Sequence, residues 1–264
     1  MRALVTGAGA RLGRAMALHL GQRGHDVAVH FNASREGADE TVSALRAMGR
    51  RATALRADLL DEAEAAALLP AAAAALGGPV TVLVNSASIF EHDTLGTATR
   101  AGWDRHMGAN LRAPFVLIQA LAAQAPPPVP DEAGEPLAQG LAVNMIDERV
   151  RKLTPEFMTY TLSKAALWTL TRTAAQALAP RVRVNAIGPG PTLRAARQSE
   201  GHFARQRRAA ILGRGANPGD VTAALGYFLD APAVTGQLLC VDGGRHLGWR
   251  TPDVLGVEPG LSGD

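Results

Sequence analysis

Residues 6–13 read TGAGARLG, directly behind the apolar run RALVT at 2–6. Glycines stand at 7, 9 and 13, and an Ala/Leu-rich amphipathic stretch follows. This is the order strand, glycine turn, helix. Glycines in such a turn let backbone N–H groups approach a pyrophosphate at the next helix's N-terminus. A tight turn without a ligand is the bland reading of such a loop. Its place between a first strand and a helix favours the nucleotide. Arg11 is the oddity, a long cation where a dinucleotide loop ordinarily keeps small residues.

The pattern continues outward from this turn. DVAVHF (26–31), ATALRA (52–57), VTVLVN (80–85), GLAVNMI (140–146), VRVNAI (182–187) and QLLCVD (237–242) read as further strands. Helices are expected at 14–23, through DETVSALRAM, over 62–76 with a kink at Pro70, over 103–123 and over 155–179. Strands that alternate with helices predict parallel βαβ units. The expected fold is α/β, a doubly wound parallel sheet of about seven strands with helices on both faces. Ligands of such sheets bind beyond the carboxyl ends of the strands. APPPVPDEAGEP (125–136) reads as a surface insertion. The expected organisation is one domain over 1–246, with a substrate-capping segment at 191–212 and a tail at 247–264. That tail is either loosely ordered or pinned by a neighbouring subunit, where Trp249 and Arg250 would complete the neighbour's pocket.

Composition narrows the class. The chain has 264 residues, 47% of them hydrophobic, with a net charge of +3. No apolar run is long enough to span a bilayer. The N-terminus does not read as a signal peptide. The single cysteine, Cys240, excludes an internal disulfide. The reading is a cytoplasmic protein. The basic cluster at Arg205, Arg207 and Arg208 lacks the interleaved aromatics of a nucleic-acid surface and reads as a solvated helix face. The seven histidines show no metal-ligand spacing, so no metal is expected.

The end of the second strand selects the cofactor. An acidic residue there would hold a ribose 2′-hydroxyl. This chain has His30, Phe31, Asn32, Ala33, Ser34 and Arg35 instead. Nothing there repels a 2′-phosphate, Asn32 and Ser34 can donate to it, and His30 and Arg35 can add charge. NADPH/NADP is the expected cofactor, the alternative being ordinary loop polars.

Tyr160 and Lys164 stand four apart in YTLSK. On a helix that spacing shares a face. A lysine cation beside a phenol favours phenolate and makes tyrosine a usable acid at neutral pH. Of the 27 basic residues only Lys152 and Lys164 are lysine, and the chain has two tyrosines. A pair at this spacing in so lysine-poor a chain points to catalysis.

TGAGARLG, NSAS (85–88), YTLSK, NAIGPG (185–190) and VDGG (241–244) together resemble the short-chain dehydrogenase/reductase family over residues 2–245. The resemblance implies a single-domain Rossmann-type fold, commonly a homotetramer or dimer, and carries over roles. Gly7, Leu12 and Gly13 would hold the cofactor's phosphates. Asn85 and Ala87 would line its central channel. Asp58 would approach adenine, with Leu59 beside it. Asn110 would hold the water chain that serves Lys164. Pro189, Gly190 and Thr192 would shape the nicotinamide side.

Two features resemble a subgroup. Where most of the family places a serine, 13 residues before the tyrosine, this chain has Asp147. A carboxylate there repels a forming alkoxide but suits a substrate whose ring nitrogen takes the proton. The pattern T-G-x-x-x-R-x-G is similar to that of pteridine reductases and dihydromonapterin/dihydrofolate-type reductases. The resemblance implies that Arg11 bridges cofactor phosphate and pterin, that Phe90 stacks the pterin against nicotinamide, and that Ser88 touches both. The expected substrate-binding set is thus Arg11, Ser88, Phe90, Asp147 and Tyr160. The expected catalytic set is Asp147, Tyr160, Lys164 and Asn110, reducing a C=N bond of a pterin or dihydropterin. In the departures from the subgroup, Ala33 replaces its second-strand arginine and Ser86 replaces the commoner asparagine. Reduction of another carbonyl or imine, or a nucleotide sensor without turnover, are the alternatives.

Overall fold

The computed structural model describes residues 1–195, 198–251 and 255. Its strands are β1 (Arg2–Val5), β2 (Asp26–Phe31), β3 (Ala52–Arg56), β4 (Val82–Asn85), β5 (Val129–Pro130), β6 (Pro136–Leu137), β7 (Gly140–Met145), β8 (Val182–Pro189) and β9 (Leu238–Val241). Its helices are α1 (Arg11–Gln22), α2 (Arg35–Ala47), α3 (Glu62–Leu76), α4 (Arg100–Met107), α5 (Ala113–Gln124), α6 (Met158–Leu178), α7 (Glu200–Arg208) and α8 (Pro218–Asp230). A π-helical turn, Gly108–Arg112, joins α4 to α5.

Seven strands form one parallel sheet in the order β3-β2-β1-β4-β7-β8-β9. The order reverses between β1 and β4, and a crevice opens at such a switch point. Side chains alternate between two covered faces. Ala3, Val5, Val27, Val29, Val82, Val84, Leu141 and Val143 pack in one core with residues of α1, α2 and α8. Leu4, Ala28, Leu83 and Ala142 pack in the other, with residues of α3, α5 and α6. Period-2 strands that are apolar on both faces are what a sheet sandwiched between helix layers requires.

Local chemistry sets several boundaries. The Asp61 carboxylate accepts from the N–H groups of Ala63 and Glu64 and starts α3. Gly77, left-handed at φ 75°, ends it. Helix α6 begins at Met158 rather than 155, because the Asp93 carbonyl accepts from Phe157 N–H and its carboxylate from Thr159 N–H. Helix α8 is absent from the sequence expectation, since Gly219 and Gly226 dilute its helical signal. It is fixed at both ends. An Asn217/Asp220 capping box starts it. The Arg183 guanidinium donates to the carbonyls of Phe228 and Ala231 at its end. The 125–136 insertion carries a short antiparallel pairing, Val129 opposite Leu137.

Among the described residues no helix is long and apolar enough to cross a membrane. No described group of three or more His, Cys, Asp or Glu is placed to hold a metal ion. Of the expected tail, Trp249 is exposed, while 252–254 and 256–264 lie outside the described residues, as do 196 and 197 of the capping segment.

Candidate active site

A cleft of about 980 Å³ opens beyond the carboxyl ends of β1, β2, β4, β7 and β8. Its inner end is the glycine turn. Gly7 is left-handed at φ 65°, and a Cβ there would meet the Ala87 backbone at 3.0 Å. A Cβ on Gly13 would lie 2.2 Å from the Gly7 carbonyl oxygen. Gly37 of α2, which the sequence reading passed over, sits against the same turn, its Cβ position 2.1 Å from the Gly9 oxygen. Three backbones are thus packed at distances only glycine permits. Thr6, also passed over, accepts the N–H groups of Ser86 and Ala87 at its hydroxyl, 2.9 and 3.0 Å away, and ties β1 to the loop after β4.

At the end of β2 the structure separates the expected residues. Asn32, Ala33 and Ser34 line the cleft. His30 does not serve as a charge. Its ring is buried, Nδ1 accepts from Gly7 N–H at 3.1 Å, and Nε2 faces the Ala57 carbonyl at 3.0 Å. Burial lowers its pKa, so the ring is neutral and braces the turn. Phe31 is likewise a core residue and absent from the lining. Arg35 pairs with Asp39 at 3.0 Å and stacks over Phe31, outside the cleft. Asp58 and Leu59 line the same cleft.

After β4, Ala87 and Ser88 line the cleft. Asn85 does not, because its side chain turns inward to donate to Asn144 at 2.8 Å. Asn110 lies in the π-helical turn, a device that recurs at functional sites. Its side chain accepts from Ser88 Oγ and Ile89 N–H and donates to the Ile89 carbonyl and to Ser163. That side chain therefore clamps the 88–89 loop.

Tyr160, Lys164 and Asp147 do converge. The Tyr160 hydroxyl donates to Asp147 Oδ2 at 2.9 Å. Asp147 Oδ1 accepts Arg149 N–H at 2.9 Å. The expected lysine effect is overturned. Burial pushes the Tyr160 hydroxyl up, and the Asp147 carboxylate, close and hydrogen-bonded, pushes it further, well above the ordinary phenol value. Lys164 donates instead to the Met145 carbonyl at 2.8 Å. Burial brings its pKa down to about 8, with Asp147 opposing. The phenol is thus a held proton, not a phenolate.

The outer cleft is aromatic. Phe90 stacks on Phe157, with centroids 4.4 Å apart and planes 8° apart, and meets Tyr160 edge-on at 4.6 Å. The Arg149 guanidinium lies over the Phe157 ring, 4.9 Å from its centroid. Phe157 takes a left-handed φ of 59°, unusual for an aromatic residue. The sequence reading named neither. Phe157 stands three residues before Tyr160 but ahead of the first turn of α6, so no helical spacing marked it. Arg11, also left-handed at φ 51°, lines the cleft and donates to the carbonyls of Leu193 and Arg194. It thereby links the glycine turn to the segment after β8. Pro189, Gly190 and Thr192 line the same side. A Cβ on Gly190 would lie 2.7 Å from that of Asp242.

This arrangement fits a dinucleotide. The close-packed glycine turn opens a helix whose first residues, Arg11, Leu12 and Gly13, line the cleft, and no carboxylate lines it at 30–34. The chain matches the family described as enoyl-(acyl carrier protein) reductase (adh_short_C2) over residues 7–246. It is similar to the FolM alternative dihydrofolate reductase 1 of Brucella canis, crystallised with NADP. The two are 39% identical, with 96% of this chain and 97% of that one covered and a TM-score of 0.86. The protein of the same description from Brucella suis, also with NADP, is 40% identical, with coverage of 96% and 98% and a TM-score of 0.85. The 3beta-hydroxysteroid dehydrogenase 1 of Eggerthella lenta is 32% identical over 252 residues, 92% of this chain and 93% of that protein. With a doubly wound sheet, a glycine turn at its switch point and a Tyr160/Lys164 helix behind it, the chain belongs to the short-chain dehydrogenase/reductase family.

Proposed function

We propose that the protein reduces a C=N bond of a pterin or dihydropterin, a dihydrofolate-type ring included. The observation that carries this is the hydrogen bond from Tyr160 to Asp147, in a cleft walled by Phe90. NADP(H) is the cofactor, and its reduced form supplies the hydride. Backbone N–H groups around Gly7 and Gly13, with Arg11, Leu12 and Gly13 opening α1, hold phosphate. Asn32 and Ser34 take the 2′-phosphate, with no carboxylate beside them to oppose it. Asp58, Leu59, Ala87, Pro189, Gly190 and Thr192 shape the rest of the groove.

A flat, amide-rich heterocycle stacks on Phe90, with Arg11 and Ser88 at its edge. Tyr160 carries the proton for the ring nitrogen. Asp147 keeps the hydroxyl hydrogen directed, and as a carboxylate it disfavours an alkoxide at the same point. Lys164, charged below about pH 8, balances Asp147 from the Met145 side. Asn110 fixes Ser88 through the 88–89 loop. The 191–212 segment caps the substrate, and Arg11 ties it down. As the family resemblance implies, the working form is a cytoplasmic homotetramer or homodimer.

The test is NADPH oxidation with dihydrobiopterin, dihydromonapterin and dihydrofolate, beside a panel of simple ketones. Turnover of a pterin with little ketone reduction supports the reading. Ketone turnover alone sinks the pterin assignment and leaves the family. No turnover of any substrate, with NADPH still bound, points to a sensor.

A further inference from the structure

The residue after Asp147 is unusual. Glu148 is an ionisable side chain only 2% exposed, and it lines the same cleft. It pairs with Arg245, from the turn after β9, which also lines the cleft. The other carboxylate oxygen, Oε2, is buried without a hydrogen-bond partner among the described residues. A buried carboxylate with one oxygen unsatisfied is costly, and it depends on its cation.

The Arg245 side is built as carefully. Asp242, itself buried, accepts from the N–H groups of Gly244 and His246 and from the His246 ring. Lys152 donates to the Arg245 carbonyl at 3.3 Å. The turn that presents Arg245 is therefore fastened at both ends, and the 3₁₀ turn Glu148–Val150 that presents Glu148 starts on the Asp147 cap.

We propose that Glu148 is a positioning residue: through its buried pair with Arg245 it makes the C-terminal turn a wall of the substrate cleft and sets the charge felt by the Tyr160–Asp147 pair. The proposal rests on the reading of Tyr160 and Asp147 as the proton-bearing pair. Several charged or titratable groups face that pair. They are Glu148 and Arg149 on the turn after β7, Lys164 on α6 and His106 of α4 against the Tyr160 ring. Arg245, Asp242 and His246 stand behind Glu148. Glu148 adds negative charge near Tyr160, and Arg245 offsets it. Neutralising Glu148 while Arg245 remains leaves a net cation, which loosens the proton on Tyr160.

The test uses whichever substrate the wild type turns over, dihydropterin or ketone, so the pterin assignment can fail without touching this one. In Glu148→Gln the alkaline limb of the kcat/KM profile should move down by about half a pH unit or more, with NADPH affinity unchanged. Arg245→Met should raise the substrate KM at least about threefold, and Arg245→Lys should recover part of it. Should Arg245→Met fail to fold around its unpaired carboxylate, the double variant E148Q/R245M removes both charges and should fold with the raised KM. A wild-type pH profile in Glu148→Gln, with wild-type substrate KM in the double variant, would overturn the proposal, since a purely structural pair changes neither.

Discussion

Tyr160 gives its hydroxyl hydrogen to Asp147 across 2.9 Å, while Lys164, one helical turn on, gives its own to the carbonyl of Met145. The two residues share a helix face but not a partner. The proton is therefore governed by the carboxylate and by burial, and the lysine acts as a fixed charge behind them.

Replacing Asp147 tests that division of labour. Asp147→Ser should lower dihydropterin turnover by about 10²-fold, the usual worth of a positioned acid–base group. The Kd for NADPH, read by fluorescence quenching, should stay within about twofold, since uniform binding is untouched. Equal losses in both would remove Asp147 from the proton-bearing pair.

Lys164 makes a prediction about stability. Its folded pKa is about 8 against an ordinary 10.5. Between those values the unfolded chain holds a proton that the folded chain has lost. Stability therefore rises with pH through that window, and the cost of burying the charge is felt in full below it. Urea midpoints of the wild type should gain on those of Lys164→Met as pH climbs from neutral to about 10. A constant difference would mean that the ammonium is not desolvated.

If Asn32 takes the 2′-phosphate as proposed, it is the position at which cofactor choice can be reversed. An aspartate there would stand beside the 2′-phosphate, and like charges in contact cost several kcal/mol. Asn32→Asp should shift the ratio of kcat/KM values toward NADH by at least about tenfold. An unchanged ratio would place the 2′-phosphate elsewhere.

Gly37 carries no nucleotide signature, yet its Cβ would fall 2.1 Å from the Gly9 oxygen. Gly37→Ala should weaken NADPH binding by at least about tenfold or lower the Tm by several degrees. Neither effect in a folded variant would mean that the turn can yield.

The sheet was legible because its strands are apolar and short, and because a turn follows each one. Period and punctuation are local properties. Tyr160 and Lys164 were legible through their spacing, and Asp147, Ser88 and Phe90 through the family resemblance; the structure brings all five into one cleft. What failed was direction. Phe31 and Asn85 sit at strand ends, where one residue's difference decides between cleft and core, and both face inward, whereas His30, though buried, lines the cleft beside Gly7. Arg35 found an acid four residues on, a partner the helix supplies. The pairing of Glu148 with Arg245 spans 97 positions, and no local pattern reports a contact of that range. Helix α8 was lost for the opposite reason, a local signal weakened by two glycines although tertiary packing holds it.

His30 has one more consequence. Its ring reaches Gly7 only because β2 pairs with β1 in the observed register, Val29 against Val5. A slip of one residue would turn Val29 or Phe31 toward the turn and send the imidazole to the opposite face. Gly7 would then have no acceptor, and the loop would lose its brace. The nucleotide turn thus works as a proofreading contact for the sheet, because a chain that pairs its first two strands wrongly cannot assemble the loop that gives the fold its use.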